Sequence, residues 1–128
     1  MSKNKQLGEA GEDVVAALYE KRGCRILARN FEIFWKKKIG EIDIVALRGR
    51  ALIMVEVKAR TSENFMPLED AVNFRKQGFL RRMAKLYVQQ NPKDDDSDLQ
   101  IDVAAVLMDP FDNTVKSVKL IENAIEDV

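Results

Sequence analysis

Two carboxylates and a lysine are spaced for hydrolytic chemistry in this chain: Asp43, Glu56 thirteen residues on, and Lys58 two residues later. Paired carboxylates can hold a hard divalent cation through oxygen, and a neighbouring lysine can orient or deprotonate an attacking water. The chain contains no histidine. That removes Ser-His-Asp and Cys-His nucleophilic sites, histidine-ligated zinc, and hydrolysis with histidine as general base. Whatever chemistry exists must run on carboxylates, lysines and a hard cation.

Residues 40–47 and 51–59 alternate polar and apolar positions like two strands, and Arg48-Gly49-Arg50 turns the chain between them. Glycine first in a two-residue loop suits a type II′ turn, which sets the register. Counting back from the turn, Asp43 faces Glu56 and Glu41 faces Lys58, with all four on one face of the pair. Ile42 and Ile44 then meet Val57 and Val55 on the other face. Nearer the turn, Val45 and Leu47 meet Met54 and Leu52 on the polar residues' own face. Facing side chains lie about 4.5–5.5 Å apart at Cβ, so Asp43 against Glu56 is repulsive unless a proton or a cation neutralises it. Mg²⁺ suits such a pair, since it takes oxygen ligands at about 2.1 Å and keeps several waters. A sheet edge decorated with protective charges is the plainer alternative, with Glu41–Lys58 an ordinary salt bridge. It leaves Asp43 against Glu56 unexplained, and it requires two strongly apolar segments to be edges.

The elements that must position this hairpin follow from periodicity. Residues 5–22 read as a helix with Leu7, Val14 and Leu18 on one stripe and Gly23 closing it. Glu12 lies off that stripe, and Gly8 and Gly11 would let the helix approach a sheet closely. Residues 24–34 read as a strand, and 35–38 as a basic turn. Residues 68–90 form a second helix with Val72, Phe79, Met83 and Leu86 inward. Lys76 falls on or beside that inward stripe, where a lysine either snorkels outward or reaches a buried anion. A loop over 91–98, strands over 99–108 and 114–121, and a short helical tail complete the order αβββαββ, which predicts a mixed sheet with helices packed on it. With 128 residues, 46% of them hydrophobic and 33% charged, one domain over residues 1–128 with its own core is expected. The single cysteine, Cys24, can form no internal bridge. The first ten residues are polar and the longest apolar run covers only 103–108, so neither a signal peptide nor a membrane span is expected, and a cytoplasmic location is the default.

Charge is balanced overall but unevenly placed. Residues 21–50 hold nine basic and three acidic residues, whereas 91–128 hold three basic and ten acidic. One face is thus expected to attract phosphate and another to repel it. Phe34-Trp35-Lys36-Lys37-Lys38 interleaves aromatics with lysines just before the hairpin. The lysines are expected to meet phosphates. Trp35 is expected to pack on the core, the alternative being an exposed ring that stacks on an unpaired base. Asp102 interrupts an apolar strand, so it needs buried partners: a supporting role at the site or a bond capping a neighbouring loop. The aspartates of 94–98 lack EF-hand spacing and read as a solvated loop.

The motifs Gly40-Glu41-Ile42-Asp43-Ile44-Val45-Ala46 and Met54-Val55-Glu56-Val57-Lys58-Ala59-Arg60 resemble the PD-(D/E)xK nuclease superfamily. Together with Gly11-Glu12, Ile26-Leu27-Ala28-Arg29-Asn30, Lys76 and Asp102, they are closest to the YraN-like family of bacterial proteins, and the core is similar to archaeal Holliday junction resolvases. Ile42 stands where the superfamily name has proline, a position that supplies no ligand. The resemblance implies a restriction-endonuclease-like α/β (α+β) fold with an αβββαβ core. It implies that Asp43 and Glu56 bind Mg²⁺ or Mn²⁺, that Lys58 is catalytic, and that Glu12 completes the acidic site. Glu41, Lys76 and Asp102 then support the site, and Lys36, Lys37, Lys38 and Arg60 contact nucleic acid. The expected activity is endonucleolytic hydrolysis of DNA, with branched or damaged structures as candidate substrates and a homodimer as a candidate assembly. The competing readings are a nucleic-acid-binding module that keeps the fold without catalysis, and a protein-interaction domain without nucleic acid.

Overall fold

The computed structural model describes residues 3–61, 74–92 and 98–123. Helix α1 (Lys3–Lys21) leads into strands β1 (Arg25–Trp35), β2 (Lys37–Arg48) and β3 (Ala51–Arg60). Helix α2 (Phe74–Gln90) and strands β4 (Asp98–Met108) and β5 (Val115–Ile121) follow. The strands form one sheet in the order β1-β2-β3-β4-β5. Only β3 and β4 are parallel, and every other neighbouring pair is antiparallel. This is the mixed sheet with two helices that the element order predicts. The parts of the second helix and the loop before β4 that fall within 62–73 and 93–97, and the expected helical tail, lie outside the described residues. No helix among the described residues is long and apolar enough to cross a membrane.

Each helix covers one face of the sheet. Val15, Ala16 and Tyr19 of α1 pack on Ile44, Ala46, Ile53, Val55, Ala104, Val106 and Met108. On the opposite face, Leu80, Met83, Ala84 and Tyr87 of α2 pack on Ile33, Ile42, Val45, Leu52, Met54 and Ile101. The spacing of that α2 set is the i, i+3, i+4, i+7 stripe of an amphipathic helix. Phe79 and Leu86, two of the residues expected inward, border the cluster half-buried. In α1 the expected stripe is displaced: Val14 is 38% exposed and Val15 is fully buried. Gly11 lies against Ala59 and Val106, and Val15 and Tyr19 follow it on the same inward stripe. Gly8 has open space around its Cα, so close packing does not explain it.

Two glycines act locally. Gly49 has φ +59° while Arg50 stays outside the left-handed region, as the first position of a type II′ turn requires. The turn sets the expected register, with Arg48 facing Ala51, Leu47 facing Leu52 and Ile44 facing Val55. Gly40 faces α2 so closely that a Cβ there would stand 2.9 Å from the Phe79 ring and 3.2 Å from Met83 Cε. The absence of a side chain at position 40 thus lets α2 seat on β2.

Candidate active site

The β2–β3 ladder stops one step before the expected Asp43/Glu56 pair. Its last pair is Ile44 with Val55, and continued pairing would bring the Val57 N–H to the Ile42 carbonyl. Instead that N–H donates to Asp43 Oδ2 at 2.8 Å. A side-chain carboxylate thus replaces a main-chain acceptor, and the strands part at Asp43.

The face pattern breaks at the same point. Ile42 joins the α2-side cluster and Ile44 the α1-side cluster, although residues two apart on a regular strand share a face. In the β1–β2 ladder, Arg29 faces Ile44 and Phe31 faces Ile42, so Asn30 stands across from Asp43. Asn30 has φ 51°, a left-handed conformation that asparagine tolerates better than most residues. Both strands therefore exchange faces at the Asn30/Asp43 step.

This kink corrects two expectations. Glu41 does not face Lys58: it sits across from Glu32, and its carboxylate takes the Lys38 ammonium at 2.5 Å. Lys38 also lies 3.9 Å from Glu32, so it bridges two like charges. Nor do the four polar residues share a face. Glu41 lines a cavity of about 330 Å³ with Gly8, Glu9, Glu12 and Asn30 beside α1. Glu56 borders Leu80, Met83 and Ala84 beside α2. Asp43 stands at the fork between the two sides.

Asp43 and Glu56 are nevertheless close enough to interact strongly. Burial and then the Glu56 charge push the Asp43 carboxyl up from 3.8 to about 7, with Glu12 adding to the rise and the Val57 N–H and Lys58 opposing it. Lys58 Nζ lies 3.3 Å from Glu56 Oε1, and both side chains are largely buried. Their strand is the centre of the sheet, so protective edge charges do not explain them.

Glu12 approaches from α1. Its Oε1 is buried with no hydrogen-bond partner, and burial raises its pKa against the lowering effects of Arg29 and a bond from Asn30. Arg29 is itself tied to Asp13 at 2.7 Å, which fixes β1 to α1 at this level. Asn30 is the site residue that the residue pattern passed over. It forms the kink and also touches Glu12, and an asparagine interrupting a strand was its one signal.

The donor set fits a hard cation in part. Asp43 and Glu56 offer two carboxylates, the usual protein share for Mg²⁺, which keeps several waters. Among the described residues, no three acidic groups converge as a ready cage.

The other expected site residues are distributed around this core. Arg60 ends β3, with Nη1 donating to the Ala59 carbonyl at 3.3 Å. Lys36 and Lys37 are exposed at the β1–β2 turn. Trp35 does not pack on the core: it is 60% exposed, because β1 and β2 run on as a hairpin beyond the layers. The Lys76 side chain lies outside the described residues. Asp102 is fully buried and committed to other partners. It accepts from Tyr19 Oη at 2.5 Å, Gln100 Nε2 at 2.9 Å and the Asn123 N–H at 3.0 Å. The Asn123 bond ties β4 to the turn that follows β5.

Residues 11–106 match the family described as Uncharacterised protein family UPF0102. The chain belongs to that family. The matched segment includes Glu12, Asn30, Asp43, Glu56, Lys58 and Asp102. The chain is 39% identical over 120 residues to a UPF0102 protein of Pelotomaculum thermopropionicum, covering 94% of this chain and 95% of that one. It is 40% identical over 106 residues to one from Alkaliphilus metalliredigens, covering 82% and 88%. To one from Clostridium botulinum it is 34% identical over 123 residues, covering 96% of each.

Proposed function

We propose that this UPF0102 protein is a divalent-cation-dependent endonuclease that hydrolyses phosphodiester bonds in DNA, with Asp43, Glu56 and Lys58 as its catalytic residues. The observation that carries the reading is a partly buried carboxylate pair at the fork of β2 and β3, with a lysine 3.3 Å from one member. Folding holds these like charges together at a cost, and sites arranged that way are more often functional than structural.

Asp43 and Glu56 would hold Mg²⁺ or Mn²⁺, with Glu12 completing the acidic side from α1. When bound, the cation supplies Lewis acidity and neutralises charge developing on the phosphate. Lys58 would orient the attacking water through a hydrogen bond from its ammonium group, and a carboxylate oxygen of the pair would accept the proton the water loses. The Val57 N–H fixes the direction of the Asp43 carboxylate. Lys36, Lys37 and Arg60 would offset the repulsion between these acids and the phosphates. A substrate with two strands to cut would suit a homodimer with two such sites.

The exposed Lys36 and Lys37 at the β1–β2 turn also suit a second reading, a nucleic-acid-binding module without catalysis. Incubating the protein with branched, single-stranded and duplex DNA in Mn²⁺ separates the two. The nuclease reading expects cleavage that falls at least about 100-fold in Asp43→Ala, Glu56→Ala and Lys58→Ala. Salt-sensitive binding with no product would support the second reading, and cleavage unchanged in all three variants would remove the first.

A further inference from the structure

The β1–β2 hairpin runs on past the last β2–β3 pair and ends in aromatic surface: Phe34 is 52% and Trp35 60% exposed. The arm is stiff. Ile33 beneath it is fully buried, Phe31 meets Tyr87 edge-on with ring centroids 5.0 Å apart, and Gln90 Nε2 donates to the Phe34 carbonyl at 3.1 Å. Across the tip, Trp35 pairs with Lys37 and Phe34 with Lys38. Lys38 is held by Glu41 and Glu32. Lys36 at the apex and Lys37 are exposed and form no ion pair among the described residues.

Exposure alone does not select this surface. Phe111, at 95% exposure, stands in the β4–β5 turn at the same end of the sheet. Its neighbours are Asp109 and Asp112, however, and their charges repel phosphate. Among the described residues, the β1–β2 tip alone joins an exposed indole to ammonium groups that form no ion pair, the combination that stacks a base and neutralises its flanking phosphates.

We propose that Trp35 stacks on an unpaired base while Lys36 and Lys37 meet the adjoining phosphates, so that the substrate carries a single-stranded segment beside the bond to be cut. The inference rests on the nucleic-acid reading of the Asp43 site and names its substrate class. In uninterrupted duplex each base is already stacked, and freeing one costs energy that the indole would have to repay. From Lys37 to Asp43 the strand advances about 20 Å at ~3.3 Å per residue. That equals about six steps of duplex at ~3.4 Å each, so the single-strand boundary lies within about six steps of the cut.

Trp35 is the only tryptophan, so its emission reports on the tip directly. The full chain is titrated, in a chelator that prevents turnover, with a single-stranded oligodeoxynucleotide, a blunt duplex and a duplex bearing a single-stranded overhang. The first and third should quench Trp35 and the blunt duplex should not. By anisotropy of a labelled overhang substrate, Trp35→Ala should bind roughly 5- to 100-fold more weakly, Trp35→Phe should lose less, and Phe111→Ala should be unchanged. Equal quenching by blunt duplex, or none by the overhang, overturns the proposal. Quenching that follows protein concentration without DNA overturns it in favour of a second copy covering the tip. The two readings fail separately. Quenching by the overhang without any cleavage in Mn²⁺ removes the nuclease assignment and leaves the stacking in place, whereas cleavage without quenching does the reverse.

Discussion

The Val57 N–H donates to the Asp43 carboxylate at 2.8 Å, so an acidic side chain closes the central hairpin where main-chain pairing ends. That bond explains how a charged group can sit at the fork of a sheet without leaving a buried donor unpaired. It also aims one Asp43 oxygen at β3 and brings the carboxyl into the field of Glu56.

The same placement makes stability depend on pH in a defined sense. Folding raises the Asp43 pKa from 3.8 to about 7, so between these values the folded protein holds a proton that the unfolded chain releases. The associated stabilisation is complete below about pH 4 and is lost as pH rises through about 7. Asp43→Asn removes the repulsion with Glu56 and keeps an acceptor for Val57. It should therefore unfold at higher denaturant than the wild type at pH 8, by about 2 kcal/mol and at most ~4 kcal/mol. The difference should shrink toward zero near pH 4. A variant less stable than wild type at pH 8 would mean that the pair is not strained.

Divalent cations should act on the same strain. Mn²⁺ should raise the melting temperature at pH 8, since at a hundred times its dissociation constant a bound ion adds about 2.7 kcal/mol. Asp43→Ala and Glu56→Ala should abolish the rise. Glu12→Gln should weaken binding by roughly 10-fold, as expected of a group at the margin of a metal site. Equal shifts in wild type and Asp43→Ala would place the ion elsewhere.

Gly40→Ala tests how the second helix seats on the sheet. The added methyl would meet the Phe79 ring at 2.9 Å, so α2 must shift or Phe79 must change rotamer. Destabilisation of about 1–3 kcal/mol in urea unfolding is expected. Phe79→Leu combined with Gly40→Ala should recover part of it. A neutral Gly40→Ala would show that the contact relaxes freely.

Asp102 should behave as a structural residue. Its carboxylate takes Tyr19, Gln100 and Asn123 while fully buried, so Asp102→Ala strands donors and should cost about 3 kcal/mol. Tyr19→Phe should cost less, about 1 kcal/mol. Mn²⁺ affinity, measured by calorimetry on folded Tyr19→Phe, should match the wild type. A tenfold loss there would tie this network to the metal site.

The architecture was legible in the sequence because its signals are local. Hydrophobic periodicity marked the seven elements, and Gly49 set the register from Arg48/Ala51 back to Ile44/Val55. The errors at the site share one cause. Period-two alternation runs through Asp43 as though the strand were regular, and it sets Glu41 against Lys58. The exchange of faces at Asn30/Asp43 depends on a positive φ and a side-chain bond to Val57, and period-two reading contains no term for either. The exposure of Trp35 escapes the sequence for a related reason. Composition says that tryptophan prefers a core, but not that a hairpin outruns the layers that would cover it. In α1 the inward stripe runs through Gly11, Val15 and Tyr19, one position on from Val14.

The most direct test of the central claim, that Asp43 and Glu56 form one cation site, is anomalous diffraction from a crystal soaked in Mn²⁺ at pH 8. A single peak bound by an oxygen of each carboxylate at about 2.0–2.3 Å, and missing in Asp43→Ala, is the predicted result. A peak bound only by Glu9 or Glu41, or no peak at Asp43 at saturating Mn²⁺, would contradict it.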